Sequence, residues 1–302
     1  AMLHVALGEA ALHRGDLARA RLHLRDAQAQ ARANDPRTIA LIRLRRAQIH
    51  LAEGAVGAAE EEVRALLDLE NPDPLLRFDI RLMAADVADA GGAHDEQEAH
   101  LLTAVESAPS QPQTVHAGLL LAGLQVGQGR TPTDGDSLVL EALAVAERYP
   151  AVQQPLVELV CSSWRPGREV EEDFCAWAIQ RGQITAAGAV MHRLGRTEEA
   201  RKLFRLALQA DLVIRERVGC LHQLATMPDG LADQERLALC AQFDDIDDEH
   251  VPAHVRIDIA AAIRLASGRR PELLQSARRH ARRALELATD PRVVVQCHRV
   301  LS

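Results

Sequence analysis

The chain has 302 residues and a formal charge of −8, so it lacks the net basic face that general nucleic-acid binding requires. Hydrophobic residues make up 47% and aromatic residues only 2%, which excludes extended disorder and favours helix almost throughout. No signal peptide is visible and no apolar run approaches the roughly 18–20 residues that cross a bilayer, so a cytoplasmic protein with no membrane partner is expected.

Cys161, Cys175, Cys220, Cys240 and Cys297 contain no CxxC pair and are odd in number, which predicts reduced, buried thiols. Lys202 is the lone lysine among many arginines, a mark of genome composition and not of chemistry. Ala1 ahead of Met2 reads as a cloning remnant.

In chain order, glycines punctuate segments of helical apolar periodicity at Gly15, Gly54, Gly92, Gly129, Gly167, Gly195, Gly230 and Gly268. The intervals run from roughly 28 to 39 residues, the signature of a repeated helix–turn–helix unit. The first unit places Leu7, Gly8 and Ala11 on one helix, Gly15-Asp16 at the turn and cap, and Ala20, Leu24 and Ala27 on the next, with Pro36 closing it. Ala47, His50, Gly54, Ala59, Val63 and Pro72 repeat this pattern; Ala85, Ala88, Gly92, Leu101, Ala104 and Pro109 repeat it again. A fourth unit keeps Ala122 and Gly129 but inserts the loop Thr131–Asp136 before a helix over Leu138–Arg148.

Pro150 and Pro155 bracket the expected bend, which divides the chain into sub-arrays 1–150 and 151–302. Residues 155–182 are irregular: Pro155–Trp164 is expected to pair with Glu169–Arg181 across a Pro166-Gly167 turn, with Trp164 and Trp177 buried to fill the misfit. The clearest unit is 184–212. Ala187, Gly188, Ala200 and Ala207 are small where two helices must approach, and Gly195 ends the first helix in the left-handed C-cap conformation. Thr197 is the expected N-cap of the second helix, with Glu198 and Glu199 against the positive end of its dipole. Leu203, Phe204, Leu206 and Leu208 supply its apolar contacts. Two further units follow with the right spacing and poorer small-residue matches.

These units resemble the tetratricopeptide repeat. The likeness is specific in units one, two and six and architectural elsewhere; Gln97 stands where the family usually has a small residue. The long spacing is also similar to the helical sensor regions of MalT/LuxR-type bacterial regulators. The resemblance implies an all-α fold: a right-handed superhelical solenoid of about eight antiparallel helix hairpins plus a C-terminal helix. It further implies a concave groove in which first-helix side chains contact a protein or peptide. By register these are Glu9, His13, Gln48, Asp86, Asp89 and His116, then Thr185, His192 and Arg193. The lysine/asparagine clamp that some family members use for a terminal carboxylate is missing, so a basic or amide-rich partner suits this groove better than an acidic tail.

The function so implied is a non-enzymatic binding scaffold. The alternatives are a ligand-sensing region of a larger bacterial regulator, and an enzyme with a cavity inside the curve using His192, Asp86 or Asp89 as acid–base groups. Apolar ends (Met2, Leu3 and Val5; Val293–Val295, Val300 and Leu301) predict a longer chain or an end covered by a partner, another copy included.

No other constellation reads as chemistry. Glu96 and His100 stand one helical turn apart beside His94, without the third ligand or the HExxH order of a zinc protease. Asp244–Glu249 has the charge of a calcium loop but lacks its glycine and terminal glutamate. Arg269, Arg270, Arg278, Arg279, Arg282 and Arg283 have no interleaved aromatic for stacking bases, and read as a solvated face paired in part with Glu272 and Glu286. Gly127-Gln128-Gly129 follows a helix and is no dinucleotide fingerprint. No catalytic residue, metal site or cofactor is expected.

Overall fold

The computed structural model describes residues 1–31, 35–70, 72–210, 214–227, 238, 241–242, 251, 253–267, 271–288 and 291–301. Among these the chain is all-α, with sixteen α-helices, one short 3-10 helix and no strand. None of the described helices is long and apolar enough to cross a membrane. The chain forms two compact units, Ala1–Pro166 and Gly167–Ser302.

The first unit contains α1 (Met2–His13), α2 (Leu17–Gln30), α3 (Pro36–Ala52), α4 (Val56–Leu67), α5 (Pro74–Ala90), α6 (His94–Ser107), α7 (Gln111–Gly127), α8 (Gly135–Val145) and α9 (Gln153–Val160). Its helix boundaries follow from a repeated local code. Gly15, Gly54, Gly92 and Gly129 all have φ between 72° and 75°, the left-handed region where a Cβ is penalised. Asp16, Asp35 and Asp73 then N-cap α2, α3 and α5, each accepting from the backbone N–H three residues on, and Pro36 and Pro74 occupy first-turn positions where no N–H is needed. The inserted loop ends on Asp134, which takes a left-handed conformation itself (φ 54°) ahead of α8.

Each helix packs on the next, and α1 also touches α3, as α3 touches α5. One apolar cluster shows why. Leu44 and Ala47 of α3, Val63 and Leu66 of α4, and Ile80, Met83 and Val87 of α5 are buried together, so two helices alone do not cover their apolar faces. Residues 150–160 belong with this unit because the 3-10 turn Pro150–Val152 and α9 both pack on α7.

The second unit comprises α10 (Arg168–Gln180), α11 (Ile184–Arg193), α12 (Thr197–Ala207), α13 (Ile214–Thr226), α14 (Ala253–Ser267), α15 (Pro271–Leu287) and α16 (Pro291–Leu301). Here the left-handed glycines are Gly182 and Gly195. Gly167 instead has φ −58° and N-caps α10, so the expected turn glycine at 167 is a helix start. Proline at 166 fixes an extended approach to the cap, whereas Arg181-Gly182-Gln183 makes the tight turn between α10 and α11.

The α11–α12 pair packs through its small residues: Ala187, Ala200 and Ala207 are almost fully buried, and Gly188 faces the ring of Phe204. Thr197 is not the cap. Arg196 holds that position, its backbone N–H bonding Met191 O and its guanidinium gripping the Glu199 carboxylate at 2.7 Å through Nε. Leu206, expected in the apolar face, is 53% exposed.

The tryptophans find separate partners. Trp164 is half-buried against Gly135, where an added Cβ would come within 2.5 Å of the indole. Trp177 lies beside Phe174, ring centroids 5.7 Å apart. Cys175, Cys220 and Cys297 are buried, while Cys161 is exposed on the turn after α9. Arg278, Arg279, Arg282 and Arg283 are exposed along α15, and Arg283 donates to Glu286 at 2.8 Å. Gly230, Cys240, Asp244–Glu249, Gly268, Arg269 and Arg270 lie outside the described residues.

Candidate functional site

Helices α1, α3 and α5 adjoin in the first unit and bring a polar row together. Glu9 of α1 accepts from Arg45 Nη2 of α3, and Arg45 Nη1 donates to Gln48 Oε1 at 3.0 Å. The same guanidinium acts electrostatically on Asp79 of α5. Two residues expected from register, Glu9 and Gln48, therefore converge on an arginine that register alone does not select. His13 stands one turn beyond Glu9, 4.0 Å from its carboxylate and open to solvent.

Along α5, Asp79 and Asp86 are seven residues apart and share a face, with Asp89 one turn further on. Asp86 keeps a solvent-accessible carboxylate in protein-dense surroundings. Desolvation, with the Asp89 charge adding to it, pushes Asp86 up to about 6. Desolvation also raises Asp79, against the pull of Arg45. Across from them, His116 of α7 sits between the rings of Phe78 and Tyr149, at 6.5 and 6.0 Å. Burial holds its pKa below the usual histidine range. Tyr149 is raised by burial first and by the Asp79 charge second.

Beyond Asp89 a cleft of about 600 Å³ opens between the α5–α6 turn, α7 and α9. Its floor is Leu119, Leu120, Leu124 and Leu159; Asp89, His94, Gln97, Glu158 and Ser162 supply polar groups. Gly123 and Gly127, four apart on α7, face open space and leave that wall without side chains. Gln97 Oε1 is buried there with no hydrogen-bond partner. The departure from the repeat pattern at Gln97 thus coincides with the cleft. Two carboxylates and a spare amide acceptor offer places for N–H donors, and among the described residues no arginine or lysine lines the space. His94 lines the cleft, while His100 faces Arg81 at 3.3 Å.

The remaining expected site residues belong to the second unit. Thr185 Oγ1 lies 3.4 Å from Cys220 Sγ, and His192 closes α11 with Nδ1 buried. Arg193 is 13% exposed and contacts Glu171, 7% exposed, at 2.6 Å. That contact ties α11 to α10 and turns the guanidinium away from solvent.

No protein-family model matches the chain, and no curated protein matches it.

The Asp86 carboxyl gives a pH prediction. Its folded pKa of about 6 lies above the ordinary 3.8, so the folded state holds more protons between those values and loses stability as pH rises through that window. Asp86→Asn is expected to flatten the fall in melting temperature between about pH 4 and 6 and to be more stable than wild type at pH 7. Because the group is solvent-accessible, the gain is at most about 1 kcal/mol. Melts from pH 4 to 8 that superimpose for the two proteins would contradict this.

Proposed function

We propose that the chain is a non-enzymatic binding scaffold, a solenoid of tetratricopeptide-like hairpins whose first unit takes a basic, extended peptide along α1, α3 and α5 and into the cleft beside α7. The observation that carries this reading is a run of carboxylates: Asp79 beside Arg45, Asp86 and Asp89 further along α5, and Glu158 lining the cleft with Asp89, while the Arg45 guanidinium is already engaged by Glu9 and Gln48. Burial disfavours the charged forms of Asp79 and Asp86 in the free protein, so an incoming lysine or arginine relieves a cost that the fold has already incurred. An apolar floor with a few convergent acceptors suits an aliphatic stem ending in a cationic head. Neighbouring helices that bury a common cluster favour the stacked arrangement.

The test is calorimetric titration of the chain with a short arginine-rich peptide and with its glutamate counterpart. The arginine peptide is expected to bind, more weakly as salt rises, and the double change Asp86→Asn with Asp89→Asn should cost about tenfold, or about 1.4 kcal/mol. Equal binding of both peptides, or an unaltered affinity in the double variant, would overturn the proposal.

A further inference from the structure

In the first helix pair, α1 and α2 bring together three groups that the repeat pattern leaves unexplained. His4 is on α1; His23 and Asp26 are three apart on α2, hence on one face a turn apart. One donor atom from each of the three lies within 4.8 Å of the other two. His4 Nδ1 is 3.7 Å from Asp26 Oδ2, too far for a hydrogen bond. That distance is close to the roughly 3.3 Å edge between two ligands of a tetrahedral zinc with bonds near 2.0 Å. The imidazole rings are 5.8 Å apart and tilted by 45°, so they do not stack face to face. Nδ1 of His4 and Nδ1 of His23 are both shielded from solvent and lack a hydrogen-bond partner, an unusual state for buried polar atoms.

We propose that His4, His23 and Asp26 bind one divalent transition-metal ion of the zinc class, clasping α1 to α2. The ion satisfies the two orphaned nitrogens with one species, and small side-chain rotations close the cluster onto it. All three residues are half-buried, which leaves a path for the ion and holds the donors in place. Imidazole nitrogen paired with a carboxylate selects zinc-like ions over magnesium and calcium, which prefer all-oxygen shells. With three protein ligands, a fourth position stays open to water. Nothing here depends on the peptide reading, because the cluster shares no residue with the acidic row.

Calorimetric titration of the full chain with zinc chloride, with magnesium chloride as control, tests the site. One saturable zinc equivalent is expected, no saturable magnesium binding, and a rise in melting temperature with zinc. His23→Gln and, separately, Asp26→Asn should each weaken zinc at least about tenfold, the loss that even an outer-shell partner commonly causes. Helical circular dichroism should be unchanged, and peptide binding in the same variants should be intact. Absence of a one-to-one zinc isotherm in the wild type would overturn the proposal, as would retention of full affinity in both folded variants, since every other histidine remains in them.

Discussion

Replacing Arg193 by alanine is expected to destabilise the second unit by about 3–5 kcal/mol, the range for stranding one member of a buried ion pair. Arg193 and Glu171 are 13% and 7% exposed and 2.6 Å apart, so this pair stands apart from exposed ones such as Arg168–Glu172 at 75% and 45%. Surface pairs contribute about 0–1 kcal/mol, because water competes for both charges. Removing the guanidinium leaves the Glu171 carboxylate between α10 and α11 without its counter-charge. Replacing both residues together, with Glu171→Leu and Arg193→Leu, should recover most of the loss, since two apolar side chains leave no charge to desolvate. Denaturant unfolding of wild type, both single variants and the double variant makes the comparison. Single variants as stable as wild type would show that the pair is hydrated and carries little.

The second large effect is at Phe204, which is fully buried under Gly188. Phe204→Ala removes the largest side chain between α11 and α12 and is expected to cost about 3–5 kcal/mol through lost transfer energy and the cavity left behind. The converse change probes the same contact. A Cβ at Gly188 would already lie 2.9 Å from Phe204 Cε1, so Gly188→Val must displace the ring and should cost about 1–3 kcal/mol. Because both changes act on one contact, Gly188→Val combined with Phe204→Ala should be less damaging than the sum of the two. Additive losses in thermal melts would mean that the ring and the glycine do not share a site.

These positions show what was legible in the sequence. Gly195 and the four turn glycines of the first unit declare themselves because only a residue without Cβ enters the left-handed region freely, and each stands between two apolar periodicities. Ala187, Gly188, Ala200 and Ala207 mark a close helix contact for the same local reason. Gly167 misleads because a glycine after proline also suits an N-cap, and nothing local separates the two roles. The signal lay in the uneven spacing around it, together with Arg181-Gly182-Gln183 between two apolar segments.

The site was legible only in part. Glu9 and Gln48 follow from helix register, but Arg45, which joins them, is selected by the approach of α1 to α3, a long-range fact. Asp79 was within reach, since seven residues from Asp86 is the same helix face. Glu158 and Gln97 meet in the cleft only because α9 folds back on α7. The histidine–aspartate cluster is hidden likewise: His23 and Asp26 show a helical spacing, but His4 joins them through the packing of α1 on α2.

The central claim, that the α1, α3 and α5 face receives a basic peptide, is tested most directly by photo-cross-linking. A short arginine-rich peptide bearing a benzophenone side chain would be irradiated with the whole chain, and the adducts located by mass spectrometry. Adducts clustered on α1, α3, α5 and α7, near Glu9, Gln48, Asp86 and the cleft beside Gly123, are the predicted result; adducts confined to α2, α4 and α6 would contradict it.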